Sequence, residues 1–109
     1  MKKSCFFSAV IAGALASTYV MAADADSAQA FLKKERCGSC HSLDKKKSGP
    51  SLKDIAAKNK GKSDTQTRLA AHILNGPMVE VDGNKEAHPK PKSNDSAAVK
   101  NVVDYILSL

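Results

Sequence analysis

Residues 37–41 read Cys37-Gly38-Ser39-Cys40-His41, and this short segment sets the expectation for the whole fold. Two thiols separated by two residues can bond to the two vinyl groups of one porphyrin. A His directly after the second Cys falls beneath the ring, where its imidazole can bind iron. We therefore interpret Cys37 and Cys40 as the attachment points of one covalent haem c, and His41 as its proximal ligand.

The same spacing has two other interpretations. A Cys-x-x-Cys pair can form a redox disulfide, but such sites lie between a strand and a crossover helix, and no such pattern surrounds this segment. The pair can also supply half of a zinc site. Because no Cys follows Cys40, His72 and His88 would have to complete that site, at a spacing that no common zinc motif uses. Haem attachment is therefore favoured.

The N-terminus carries the pattern of an export signal. Lys2 and Lys3 precede an apolar run over residues 6–20, and small residues then occupy the positions that a signal peptidase requires before Ala23. We predict that residues 1–22 are a cleaved signal peptide and that residues 23–109 form one periplasmic domain without membrane insertion. An uncleaved membrane anchor is the alternative, although the small residues of the run argue against it.

Cleavage would change the inventory of reactive and apolar side chains. Cys5 would leave with the leader, so no thiol is spare for a disulfide, and Met78 would become the only thioether. Phe31 and Tyr105 would be the only aromatic residues in a domain of about 90 residues, which is a small apolar inventory for a stable core. We therefore expect the haem to complete the core and the apo form to be largely unfolded.

Hydrophobic periodicity predicts four helices. The first helix begins at Asp26 or Ser27 and runs towards Arg36, and the second spans residues 51–58. The third runs from a cap at Asp64 to a stop at residues 75–77, and the fourth runs from Asn94 or Asp95 to the end of the chain. Residues 78–92 lack a helical period and contain Gly83 and two prolines, so we predict a loop there. The alternation over residues 79–81 is too brief to indicate a strand.

This arrangement resembles a short bacterial class I cytochrome c. The resemblance covers residues 26–109 and is carried by residues 37–41, by residues 48–58 with their Gly-Pro pair, and by the closing helix that ends at residues 104–109. It implies an all-α fold of four to five short helices wrapped around one haem, with Phe31 and Tyr105 at the crossing of the first and last helices. It also implies that the Pro50 carbonyl accepts the N–H of His41.

The chain departs from that family at the sixth iron ligand. Family members present a Met followed by Pro before the last helix, and counting back from Tyr105 puts that position on His88-Pro89. His88 follows His41 by 47 residues, close to the separation in short members, whereas Met78 follows it by 37. We favour His88 as the second metal ligand. Met78, or an open or weakly held position, remains the alternative.

The resemblance also suggests a role for His72, because similar chains carry a basic group there beside a haem propionate. We predict a hydrogen bond from His72 to a propionate. Plain surface exposure is the alternative.

Charge and ligation together indicate a redox protein. Without Lys2 and Lys3, the 17 Lys and Arg become 15 against 11 acidic residues, and a net charge of +4 is too mild to indicate nucleic-acid binding. Lys45, Lys46 and Lys47 form the sharpest basic cluster, and we expect a redox partner to dock near them. A haem with both axial positions filled leaves no site for a substrate, so we expect no enzyme activity.

The leading function is a diffusible, monomeric one-electron carrier of lowered potential, since a second imidazole favours ferric iron more than a thioether does. A haem subunit of one dedicated periplasmic dehydrogenase is an alternative. A gas-binding or gas-sensing haem protein is another, and it would need a displaceable sixth ligand.

Overall fold

The computed structural model describes residues 13–14 and 22–109, and its regular elements are mainly helical. In chain order they are α1 (Ala25–Lys34), a 3-10 turn (Cys37–Ser39), α2 (Leu52–Asn59), α3 (Thr65–Asn75), β1 (Met78–Val81), β2 (Asn84–Ala87) and α4 (Ser96–Leu107). The expected helical fold class is confirmed. Most of the predicted signal peptide lies outside the described residues. Among the helices of the described ranges, none is both long and apolar enough to span a bilayer.

Side-chain caps fix where three of the helices begin. The Asp24 carboxylate accepts the backbone N–H of Ser27, so α1 starts at Ala25, and the prediction of a cap at Asp26 or Ser27 was wrong by two or three residues. Ser51 caps α2 and Asp95 caps α4 in the same way. A serine or aspartate side chain therefore satisfies backbone donors at these three N-termini.

The core lies where α1 and α2 pack against α4. Its main cluster of buried side chains consists of Ala28, Leu52, Val102, Tyr105 and Ile106. Phe31 packs against this cluster, as expected for the crossing of the first and last helices. The Tyr105 hydroxyl accepts a hydrogen bond of 3.1 Å from the Gln29 amide, which ties α1 to α4 at their polar edge.

The loop predicted over residues 78–92 contains an antiparallel hairpin, so that prediction was wrong for residues 78–87. Met78 pairs with Ala87, and Val81 pairs with Asn84. The turn uses Asp82 and Gly83, whose φ angles are 49° and 83°. Asp-Gly is a preferred pair for the type I′ turn, whose two central residues both need positive φ. This dipeptide was the sequence signal for the hairpin. The hairpin was not predicted because the apolar alternation before the dipeptide is short.

Candidate functional site

The two thiols lie on a tight turn directly after α1. Arg36 adopts a left-handed conformation (φ 58°) that ends the helix, and Cys37–Ser39 form a single 3-10 turn. The backbone N–H groups of Cys40 and His41 both donate to the Cys37 carbonyl, at 3.2 and 3.0 Å. Both cysteines are free and half-buried. The turn therefore holds two thiols and one imidazole on a continuous five-residue segment, as covalent attachment of one haem requires.

The His41 ring is oriented by the segment that precedes α2. Its Nδ1 lies 2.7 Å from the Pro50 carbonyl oxygen. Because a carbonyl can only accept, Nδ1 carries the proton, and Nε2 is left with a free lone pair for a metal. The structure thus contains the hydrogen bond that the resemblance implied for Pro50.

Gly49 allows that segment to pass against the imidazole. A Cβ atom at residue 49 would lie 2.8 Å from His41 Cε1 and 3.1 Å from the Cys40 carbonyl oxygen. The Gly49 N–H already donates to the same carbonyl at 2.9 Å. Any larger residue would have to displace the imidazole or the attachment turn. The sequence analysis missed this role, although the Gly-Pro pair pointed to it.

Gly49→Ala is expected to destabilise the holoprotein by about 1 to 3 kcal/mol, the usual cost of forcing a methyl group into a packed site. The melting temperature should fall, and the reduction potential should move because the hydrogen bond from His41 to Pro50 is strained. Ser39→Ala, at an exposed position of the same turn, is the control and should change neither quantity. Equal effects of the two substitutions on potential and melting temperature would contradict this reading of Gly49.

An apolar wall adjoins the attachment turn. A cavity there is lined by Leu32, Lys33, Cys37, Gly38, His41 and Leu52. Burial raises the pKa of the Cys37 thiol, and the nearby negative charge of Glu35 raises it further. The Cys37 side chain therefore lies beside a surface suited to a flat apolar group.

A second imidazole faces His41. The ring centroids of His41 and His88 are 6.1 Å apart, and their planes are inclined by 39°. Metal–imidazole nitrogen bonds are about 2 Å long, so two rings on opposite sides of one metal have centroids about 6 Å apart. His88 Nδ1 is buried and has no hydrogen-bond partner among the residues that the structure describes. The two rings are therefore spaced as two axial ligands of one iron would be.

The protonation of His88 suits metal binding. Burial lowers the pKa of His88, and the nearby His72 and His41 lower it further. A neutral imidazole is the form that binds a metal.

The remaining residues singled out from the sequence differ in their surroundings. His72 lies against His88, with ring centroids 4.7 Å apart and an edge-to-face angle of 69°. Its hydrogen bond to a propionate stays a prediction. Met78 begins β1 with 64% of its surface exposed, so the rival ligand faces solvent.

The basic cluster lies beside the attachment turn. Lys45, Lys46 and Lys47 are all exposed. Lys47 Nζ donates to the Gly38 carbonyl at 2.7 Å, and Lys46 forms an isolated backbone bridge with His41. Three positive side chains therefore lie on the segment that adjoins Cys37–His41.

The residues of this site fit a covalently held haem. The turn supplies two free thiols and an imidazole whose second nitrogen is already satisfied. The neighbouring wall is apolar, and the half-buried imidazole of His88 faces His41 from the opposite side. Thiols, imidazoles and an apolar wall together are the donor set that a c-type haem needs.

Comparison with known proteins agrees with this chemistry. The Cytochrome c family model matches residues 25–109. Cytochrome c-551 of Stutzerimonas stutzeri is 37% identical over 109 residues, covering 100% of this chain and 99% of that one. Cytochrome c-552 of Nitrosomonas europaea is 38% identical over 107 residues, covering 98% of each. The crystal structure of the class 1 cytochrome MtoD from Sideroxydans lithotrophicus ES-1 superposes with a TM-score of 0.73 at 37% identity, covering 80% of this chain and 97% of that one.

Proposed function

The chain belongs to the cytochrome c family, and on that premise we propose that it is a periplasmic one-electron carrier with two axial imidazoles, His41 and His88. Its cofactor is one haem c, bonded through Cys37 and Cys40. The haem, when bound, supplies an iron that can gain and lose one electron. The protein's part is to hold that iron in a fixed coordination so that little has to rearrange when the electron moves.

One observation carries the ligand assignment, the 6.1 Å separation of the His41 and His88 rings. The order of side chains along the loop supports it, because Pro89 directly follows His88 as Pro follows the usual Met of similar chains. The competing thioether of Met78 is largely exposed. Two imidazoles favour ferric iron relative to one imidazole and one thioether, so the reduction potential is lower than in Met-ligated relatives.

The residues around the site orient the His41 ring and line the space beside the attachment turn. Pro50 fixes the tautomer and plane of His41, and a partnered imidazole is a better electron donor to a metal. Leu32 and Leu52 line the cavity beside the attachment turn and keep water from that side. With both axial positions filled by His side chains, no position is left where a substrate could bind. This coordination supports electron transfer rather than catalysis.

Partner docking belongs near Lys45, Lys46 and Lys47 in this proposal. The three side chains are exposed on the segment that bonds to the attachment turn. Opposite charge on a redox partner would steer a fast and weak encounter, as a shuttle requires. The salt dependence of electron exchange with an acidic partner measures this part of the proposal.

Export to the periplasm is also part of the proposal. It is supported by the lysines, apolar run and small residues of positions 1–22. N-terminal sequencing of the exported protein tests it, with Ala23 expected as the first residue.

Carbon monoxide separates the carrier from a gas-binding protein. The reduced holoprotein is expected to bind the gas slowly or not at all at neutral pH, since both axial positions are held by His side chains. The visible absorption of the reduced haem reports binding. Prompt and complete binding would contradict the proposal of a six-coordinate carrier and would favour a displaceable sixth ligand.

A further inference from the structure

The C-terminal end of α3 contacts His88 at both its backbone and its ring. The His88 N–H donates to the Pro77 carbonyl at 2.8 Å, just beyond the end of that helix. The His72 ring, in the last turn of α3, meets the His88 ring edge to face with centroids 4.7 Å apart. One helix terminus therefore holds both the chain position and the ring of His88.

The helix cap makes this close approach possible. Gly76 has a φ of 57° and donates its N–H to the His72 carbonyl at 3.2 Å, so the cap and His72 belong to the same turn. A Cβ atom at Gly76 would lie 2.6 Å from the His88 carbonyl oxygen. Only glycine satisfies both the left-handed backbone and this separation. The turn that carries His72 is thereby packed directly against the backbone of His88.

The two imidazoles that face each other are oriented by different means. His41 is fixed by the hydrogen bond from its Nδ1 to Pro50. His88 Nδ1 makes no such bond to the described residues; the Pro89 backbone interacts with the ring, but this is the smallest of the influences on the pKa of His88. Metal-binding imidazoles are ordinarily held by a hydrogen bond at the second nitrogen. For His88, the edge-to-face packing of His72 is a contact that can set the plane of the ring.

We infer that His72 is a positioning residue for His88, fixing the plane of that imidazole through ring packing from the last turn of α3. The inference rests on the proposed function, because it assumes that His88 is the second axial ligand. His72 then acts through His88 and not on the iron itself. The angle between the two axial planes, 39° in this structure, is the quantity that His72 controls.

A pair of substitutions of similar volume tests the inference on the holoprotein. His72→Phe keeps a flat ring that can pack edge to face, whereas His72→Leu fills the space without one. In the leucine variant the His88 plane loses its support, so the ferric EPR signal should shift and broaden. Carbon monoxide should also displace His88 about 10- to 100-fold faster, the usual cost of losing a residue that supports a metal ligand. Phenylalanine should keep both readouts close to those of the unaltered protein.

Thr67→Ala, an exposed position at the other end of α3, is the control and should change neither readout. A lower melting temperature of His72→Leu with unchanged EPR and carbon monoxide kinetics would overturn the inference, since His72 would then be merely structural. Equal spectral changes in the leucine and phenylalanine variants would also overturn it.

The unaltered protein distinguishes this failure from failure of the proposed function. A thioether–iron absorption band in the starting protein would remove His88 as ligand and overturn both. A two-imidazole spectrum that His72→Leu leaves unchanged would overturn the positioning role alone.

Discussion

His41→Ala is expected to yield no folded holoprotein. The substitution removes the proposed proximal ligand and its hydrogen bond to Pro50 at once. It also acts on a domain whose apolar core is small, with Tyr105 as its largest buried side chain and three Val residues among the rest. In such a domain the free energy of cofactor binding is a large part of the free energy of folding. Loss of the iron–imidazole bond should therefore be felt as loss of the fold.

Covalent haem and helix content measure this outcome together. Haem staining of the purified chain should fall below detection, and the far-UV circular dichroism of any apo protein should lack most of the helical signal. Asp44→Ala, at an exposed position of the neighbouring segment, is the control and should accumulate as normal holoprotein. A stably folded apo form of His41→Ala would contradict the idea that the haem completes the core.

His88→Ala is expected to convert the haem to a five-coordinate or ligand-exchanged state that binds carbon monoxide promptly. This change in coordination is expected because the substitution removes the imidazole that faces His41 at 6.1 Å. His88→Met should restore six-coordination with a thioether. The reduction potential of His88→Met should then lie above that of the unaltered protein by on the order of 0.1 V. Axial ligands as a whole set a range of roughly 0.8 V. Redox titration and the spectra of both oxidation states measure these effects.

Met78→Ala is the matched control for the ligand assignment. Met78 is 64% exposed at the first position of β1, so its truncation should leave the spectra and the potential almost unchanged. The opposite pattern, with a spectral change on truncating Met78 and none on truncating His88, would reassign the sixth ligand.

The attachment site could be predicted because its chemistry is local. Two thiols and an imidazole within five residues impose the same local geometry in any surrounding fold. The 3-10 turn of Cys37–Ser39 provides that geometry. The helices were predictable for a related reason, since periodicity and caps such as Ser51 and Asp95 act within one or two turns. The error at the start of α1 arose because Asp24, Asp26 and Ser27 are all plausible caps, and only the packed position of the helix selects Asp24.

The features that escaped prediction depend on contacts between segments. The hairpin over residues 78–87 has only two apolar positions in alternation, so its pattern was weak, and the Asp82-Gly83 turn was the informative signal. The contact of His72 with His88 joins residues 16 positions apart, and no local periodicity encodes it. The close approach of Gly76 to His88 is likewise a product of tertiary packing. His88 could be proposed as an iron ligand from the sequence, but the residue that packs against its ring could not be identified there.

Direct identification of both axial ligands in the unaltered ferric protein is the sharpest test of the proposed pair, His41 and His88. EPR combined with near-infrared magnetic circular dichroism distinguishes two imidazoles from an imidazole and a thioether. We expect a low-spin signal of the two-imidazole type from His41 and His88, without a thioether–iron band. A thioether–iron band, or a high-spin five-coordinate signal, would contradict this expectation.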